Sequence, residues 1–210
     1  MVATIHTERR EIDRRLAQYF NSTREQWIEI VTAMVAARGG CTANNAKSAP
    51  GFYAWDAGVR RMREIFGKEG WQNGDEEGIE TIINHELKKK VAVMNTDAGT
   101  GDKTRSPRNR TPKGPAAERV VDLNDQIELF KRHEIPEQPR DQNAVWYLCV
   151  FDDGKTVRAE LSRPIEFDSV YFVKFSERIF ILGPGDWEKI AISAPTIEPP
   201  LDLTINVRRK

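Results

Sequence analysis

The chain has 210 residues with 32 basic and 32 acidic side chains, so it is electrically neutral and no global field draws it to nucleic acid or to an acidic membrane. No apolar run approaches 18 residues, and charged residues from Glu8 to Glu11 stand where a signal peptide needs an apolar core, which predicts a soluble cytoplasmic protein. The only cysteines, Cys41 and Cys149, support neither a disulfide framework nor a cysteine-rich zinc site.

Three helices are predicted in the first 66 residues. Thr7 can cap the first helix, whose apolar residues fall on one side. The segment Ser22–Glu25 has the pattern of a capping box and opens a second helix, which Gly39 ends. Because the connection between these two helices is short, they are expected to pack antiparallel. Helical spacing then resumes from Tyr53 to Phe66.

A fourth helix is predicted from Asn73 to Lys90, because Asn-Gly-Asp is typical of a helix start and isoleucines follow at helical spacing. Its expected buried residues are Ile79, Ile82, Ile83 and Leu87. The short apolar run Val91–Met94 precedes a glycine-rich loop, which favours a strand over a continuation of the helix. Residues 1–92 are therefore assigned to a helical module.

Residues 93–118 are predicted to be a connector. With three glycines, three prolines and almost no large apolar residue, the segment cannot bury a core of its own, so it either stays mobile or orders on a partner. Positions 103 to 119 carry six basic side chains against one acidic side chain, the densest local charge of the chain. The basic residues are Lys103, Arg105, Arg108, Arg110, Lys113 and Arg119.

Residues 119–210 predict a small antiparallel β-sheet module with one helix. Asp122 can cap this helix. The wholly apolar run Val145–Phe151 is typical of a central strand buried on both faces, and Asp152–Lys155 suits a hairpin turn. Thr156–Leu161 alternates, which places Glu160 on a solvent-facing side.

Further strands follow in this module. Pro164 indicates a bend or a sheet edge, because proline cannot donate to a ladder. A second hairpin is predicted between Val170–Phe175 and Ile179–Leu182, with its turn at residues 176–178. An edge strand is expected at Leu203–Val207. The fold class predicted for the whole chain is α+β.

Acidic residues near strand ends suggest a different kind of site, because metal-dependent nucleases collect carboxylates around Mg²⁺. These residues are Asp152, Asp153, Glu160, Glu166 and Asp168. The lysine that usually stands close to the second acid is missing after Glu160, and Asp152 and Asp153 equally suit a turn. A metal-dependent nuclease is therefore the third interpretation of function.

Other motifs point to no cofactor and no nucleophile. The segment Asp97–Thr104 has glycines like those of a phosphate-cradling loop, but Pro107 and later prolines forbid the helix that would have to follow. The three histidines lack metal-ligand spacing and are expected at the surface or at helix ends; they are His6, His85 and His133. Trp71 follows Gly70 in a predicted loop, where it is a candidate contact residue for a partner.

Two segments, Val93–Gly101 and Asn109–Pro115, resemble uncharacterised proteins encoded by bacteriophages and prophages. The resemblance extends from Ile79 to Leu182, about half of the chain. It implies a bacterial cytoplasm and an origin in a mobile element, and it assigns no catalytic residue.

The predicted function is non-catalytic binding in phage or prophage biology, with DNA or RNA as the favoured partner. Extended basic segments can follow a phosphate backbone, and the expected phosphate contacts are Arg105, Arg108, Arg110 and Lys113. The second interpretation is a connector that folds on a host protein, which it inhibits or recruits. A connector that merely keeps the chain soluble would also fit the charge pattern.

Overall fold

The computed structural model describes residues 3–76, 78–132 and 143–193. These residues form five helices and seven strands. In chain order they are β1 (Thr4–His6), α1 (Arg9–Phe20), α2 (Arg24–Gly39), α3 (Ala49–Phe66), β2 (Gln72–Glu76), β3 (Ile79–Asn84), β4 (Lys89–Asn95), α4 (Pro115–Arg132), β5 (Ala144–Asp152), β6 (Val157–Phe167), β7 (Phe172–Leu182) and α5 (Asp186–Ser193). The histidine at 133 and the predicted strand at 203–207 lie outside the described residues.

One sheet contains all seven strands, in the order β1-β7-β6-β5-β4-β3-β2. Neighbours are antiparallel except for β1 beside β7 and β4 beside β5, which are parallel. The α+β prediction is confirmed, with helices dominating the first part of the chain and antiparallel strands the last. Strands β1, β2 and β3 and the first four residues of β4 come from residues 1–92, the predicted helical module, and β4 pairs directly with β5.

The sheet is buried on both faces around β5, as the apolar run predicted. Trp146, Leu148 and Val150 belong to the core beneath α1, α2 and α3. The alternating residues Val145, Tyr147 and Cys149 belong to a second core beneath α4, because successive strand side chains point to opposite faces. No helix among the described residues combines the length and the apolar character needed to cross a membrane.

The first three helices agree with the sequence patterns, with shifts at their starts. The capping box at the start of α2 pairs Thr23 with Gln26, one residue later than the predicted Ser22–Glu25 pattern. The N-cap of α1 is Glu8, without a side-chain cap, so the predicted Thr7 cap is wrong. Helix α3 begins at Ala49, four residues before the predicted start, with Pro50 in its first turn.

The predicted fourth helix is wrong, because residues 72–76, 79–84 and 89–95 form the antiparallel strands β2, β3 and β4. Isoleucines at helical spacing also suit a strand, since β-branched side chains favour the extended backbone. Gly78 turns the chain between β2 and β3 with φ +82°. Gly74 faces β3 so closely that a Cβ there would lie 2.5 Å from Ile83 Cδ1. The Val91–Met94 strand is confirmed as part of β4.

The predicted second hairpin at residues 176–178 is also wrong, since β7 continues through them. The chain reverses earlier, where Asp168 Oδ1 accepts hydrogen bonds from the backbone N–H groups of Val170 and Tyr171. Pro164 lies inside β6, where the register with β7 shifts as the prediction of a bend implied. Helix α4 begins at Pro115, seven residues before the expected cap at Asp122.

Candidate anion-binding site

The geometry of the predicted connector depends on a buried ion pair between Glu160 on β6 and Arg178 on β7. Their side chains are 0% and 2% exposed. Arg178 Nε donates to Glu160 Oε1 at 2.8 Å, and Nη2 donates to Oε2 at 2.7 Å. This two-bond geometry matches the planar guanidinium to the planar carboxylate. The predicted solvent exposure of Glu160 is therefore wrong.

The rest of the Arg178 guanidinium binds the connector backbone. It donates to the carbonyl oxygens of Gly99 at 3.1 Å, Asp102 at 3.0 Å and Arg105 at 2.8 Å. All five guanidinium N–H groups thus have an acceptor. Glu160 in turn accepts hydrogen bonds from the Gly101 N–H at 2.7 Å and the Ser162 hydroxyl at 2.6 Å.

The segment from Thr96 to Arg110, called here the basic loop, is consequently ordered against its own protein. Its ends are joined by backbone hydrogen bonds from Asp97 N to Arg108 O and from Arg110 N to Asn95 O. The buried Asn109 side chain ties the loop to β7 through the Phe172 N–H. The expectation that this segment is mobile or needs a partner to order is wrong, because the groups that hold it lie about 60 to 80 residues away in sequence.

The basic side chains of this loop point outward. Lys103, Arg105, Arg108 and Arg110 are all exposed. Arg105 keeps 60% of its side chain exposed and reaches Asp97 only at 3.9 Å. The Arg108 guanidinium lies 5.7 Å from the centre of the Tyr171 ring. Backbone carbonyl groups of the basic loop thus accept hydrogen bonds inside the protein, while its basic side chains are exposed to solvent.

The six predicted site residues do not share a single pocket. Lys103 lines a cleft of about 550 Å³ with Arg9, Arg24 and Arg158. Arg110 and Lys113 line a different cavity, and Arg119 lies on a shallow depression at the start of α4. The first cleft also contains Asp102 and Asp186, which offset part of its charge.

The second cavity has a volume of about 500 Å³ and is called here the strand-end cavity. It lies between the first turns of α3 and the carboxyl end of β4, where the Asn95 side-chain amide donates to Gly51 O at 2.8 Å. The parallel neighbour β5 ends beside it, and the chain passes through α4 between these two strands. Carboxyl ends of parallel strands are frequent ligand-binding positions in α/β sheets.

Four cations line the strand-end cavity, and no described lining residue is acidic. They are Arg38, Lys47, Arg110 and Lys113. Asp152 lies nearby and partly offsets them, with its Oδ2 3.6 Å from Arg38 Nε. Burial lowers the pKa of Lys113, because the charged ammonium loses water contacts. The cavity therefore has a positive potential suited to an anion.

Aromatic side chains complete this cavity. Phe52 and Tyr53 are 57% and 45% exposed, the two large hydrophobic side chains exposed among the described residues. The Phe52 ring lies 5.9 Å from that of Trp55, and both rings line the cavity. Phe52 was not among the predicted site residues. Its signal in the sequence is its position outside the apolar stripe of α3, which leaves a large aromatic side chain without a place in the core.

The carboxylates considered for a metal site are engaged elsewhere. Asp152 and Asp153 accept hydrogen bonds from turn backbone, as the turn interpretation predicted. Those bonds, from Thr156 and Lys155 N–H groups, lower the pKa of Asp153. Glu166 pairs with Lys174 at the surface. Within the three described ranges, no group of three His, Cys, Asp or Glu side chains could hold a metal ion.

Two further sequence expectations are corrected. His6 is buried, with Nδ1 2.7 Å from Glu11 Oε1 and Nε2 2.9 Å from Glu177 Oε1, so the surface interpretation is wrong for this histidine. His85 is exposed as expected. Trp71 is only 3% exposed and packs against Phe66, so it is not a surface contact for a partner.

A scan against protein families and searches of curated proteins and solved structures found no match for this chain. The resemblance to phage and prophage proteins therefore stays a prediction.

Proposed function

We propose that this protein is a non-catalytic nucleic-acid-binding protein of phage or prophage type that contacts phosphates with the basic loop. The main supporting observation is that the backbone and the basic side chains of that loop face in opposite directions. Its backbone is held inside the protein by Arg178 and Glu160, while Arg105, Arg108 and Arg110 extend into solvent.

A pre-ordered loop favours binding because less conformational freedom is lost on association. Phosphate contacts by arginine release counterions from the nucleic acid, so affinity depends steeply on salt. A chain with equal numbers of acidic and basic residues needs such a local concentration of charge to attract a polyanion. The basic loop supplies it.

Exposed aromatic rings favour a single strand over a duplex. Phe52 and Tyr53 are exposed on α3, and Trp55 lies beside Phe52. Base stacking on such rings is a common source of affinity in single-strand binders and tolerates any sequence. Arg110 links the two features, since it belongs to the basic loop and lines the strand-end cavity with Phe52.

The same aromatic pair also favours the second candidate function, a module that inhibits or recruits a host protein. Exposed Phe and Tyr side chains beside arginine are enriched in protein interfaces. A host protein retained by this chain after nuclease treatment, and lost when Phe52 and Tyr53 are both replaced by Ala, would favour this function.

The test of nucleic-acid binding is fluorescence anisotropy with labelled 20-nucleotide single strands of DNA and RNA and with a matched duplex. The triple variant Arg105→Gln/Arg108→Gln/Arg110→Gln is compared with the control Arg14→Gln/Lys68→Gln/Lys88→Gln, which removes equal charge from exposed positions outside the basic loop. We expect the loop variant to bind at least tenfold more weakly. Its log–log salt slope should fall by about 2, since each lost contact removes about 0.7 for single strands.

The control variant should keep most of the affinity and nearly the whole slope. Equal losses of affinity in the two variants would show that binding depends only on net charge. Unchanged binding by the loop variant would exclude the basic loop as the interface.

A further inference from the structure

The strand-end cavity combines features that the proposed function does not require. It is concave, whereas a backbone-tracking surface needs only exposed cations. Its volume of about 500 Å³ falls within the range of about 300–1,000 Å³ typical of small-molecule sites. A site of this size accommodates one nucleotide, not a length of strand.

The charge in this cavity is arranged for a compact anion. Lys47, Arg110 and Lys113 approach from three segments, which are the loop before α3, the end of the basic loop and the short segment before α4. Within the described part of the chain, no ion pair involves Lys47 or Lys113. Lys113 is half-buried. A half-buried lysine without a carboxylate partner destabilises the fold unless a ligand supplies the negative charge.

The apolar part of the cavity is arranged for a planar ring. Phe52 and Trp55 lie one helical turn apart on α3 and line the same wall. Exposure of Phe52 in the free protein costs hydration free energy that a stacked base would recover. The positive end of the α3 dipole adds to the anion-binding character of that wall, because α3 starts there.

We propose that the strand-end cavity binds a single nucleotide unit, with the base against Phe52 and Trp55 and the phosphate among Lys47, Arg110 and Lys113. The inference rests on the proposed function in that the unit would belong to a bound strand. The same chemistry is present in a free nucleoside monophosphate, so the experiment separates the two sources.

Two titrations of the full chain test this site. In the first, adenosine 5′-monophosphate, adenosine and inorganic phosphate are compared by calorimetry. The nucleotide should bind at least tenfold more tightly than either part alone, because both walls of the cavity are used. In the second, anisotropy compares 12-nucleotide single strands that carry a terminal phosphate at the 5′ end, at the 3′ end or at neither. One terminal phosphate should raise the affinity at least fivefold.

Variants of residues in each wall of the cavity, each with a matched control, test which part of the nucleotide that wall binds. Phe52→Ala should weaken the binding of adenosine 5′-monophosphate at least fivefold in calorimetry, because Phe52 lines the cavity. Tyr53→Ala is compared in the calorimetric titration only, where it should keep the nucleotide affinity, because Tyr53 does not line the cavity and its proposed stacking concerns a bound strand. Lys47→Gln should remove the advantage of the phosphate, while Lys68→Gln should keep it. Lys47, Phe52, Tyr53 and Lys68 are all exposed, so these variants should stay folded, as thermal unfolding would verify.

The outcomes separate the two proposals. Strand binding that needs the basic loop but ignores Phe52, Lys47 and the terminal phosphate would overturn this site and leave the proposed function intact. Nucleotide binding that needs Phe52 and Lys47, without binding of any strand, would overturn the proposed function and support a free-nucleotide site. Absence of both kinds of binding would overturn both proposals.

Discussion

Arg178 lies opposite Ser162 in the register of β6 and β7, and its guanidinium reaches diagonally to Glu160, two residues before Ser162 in β6. All three side chains are buried. The Ser162 hydroxyl donates to Glu160 at 2.6 Å, so serine, glutamate and arginine form one hydrogen-bonded group on a single face of the sheet. This group explains how a segment without a core of its own acquires a defined structure.

Replacing Glu160 should therefore destabilise the whole fold. Glu160→Gln leaves the Arg178 charge buried without its counterion, which typically costs about 3–5 kcal/mol. Urea unfolding measures this loss, and hydrogen exchange at residues 99–106 should accelerate. The control Glu166→Gln removes an exposed partner of Lys174 and should cost less than about 1 kcal/mol. Equal stability of the two variants would show that the buried pair does not hold the basic loop.

The sharp turn at Gly99 should tolerate no side chain. A Cβ at this position would lie 2.2 Å from the Ser106 carbonyl oxygen, which is backbone and cannot rotate away. Gly99→Ala should lower the free energy of unfolding by about 1–3 kcal/mol, measured in urea. Gly114→Ala is the matched control, since nothing lies within 4 Å of its added Cβ, and it should change stability by no more than about 0.5 kcal/mol. A Gly99→Ala variant as stable as the control would contradict the loop geometry.

Burial of Lys113 predicts a specific pH dependence. Its pKa is lower in the folded protein than in the unfolded chain, so the unfolded state binds more protons and stability rises with pH. The free-energy cost of burying the charged Lys113 is complete below its folded-state pKa and disappears as pH approaches the ordinary lysine pKa. Lys113→Met should therefore be more stable than the parent protein at pH 7, with a difference that shrinks as pH rises. Urea unfolding of both proteins between pH 7 and 10.5 measures this difference, and a difference that does not shrink over that range would contradict the effect of burial on Lys113.

The two cysteines should differ in reactivity. Burial raises the pKa of the Cys149 thiol well above its ordinary value, and the side chain is fully buried in β5. Cys41 is partly exposed after α2. A thiol reagent such as dithionitrobenzoate should label one thiol per native chain and two in urea. Cys41→Ser should abolish labelling of the native protein, and persistent labelling of that variant would place Cys149 at the surface.

Local patterns predicted those parts of the fold that depend on nearby residues. The apolar run Val145–Phe151 is central because its composition tolerates no solvent on either face. Helices α1 and α3 follow from amphipathic spacing and α2 from its capping box. The Asp152–Lys155 turn follows from Asp side chains that bind their own backbone. In each case the deciding contacts lie within a few residues of each other.

Tertiary structure decided what local patterns left ambiguous. Isoleucines at 79, 82 and 83 suit a helix or a strand, and pairing with β2 and β4 selects the strand. The alternation of residues around Glu160 predicts a solvent-exposed face of β6, but Arg178 and the basic loop cover that face. Phe52, Arg110 and Lys113 are brought to one cavity only when β4 lies parallel to β5 and α3 packs above their ends. Such long-range contacts leave no trace in periodicity or composition, because their free energy comes from partners distant in the chain.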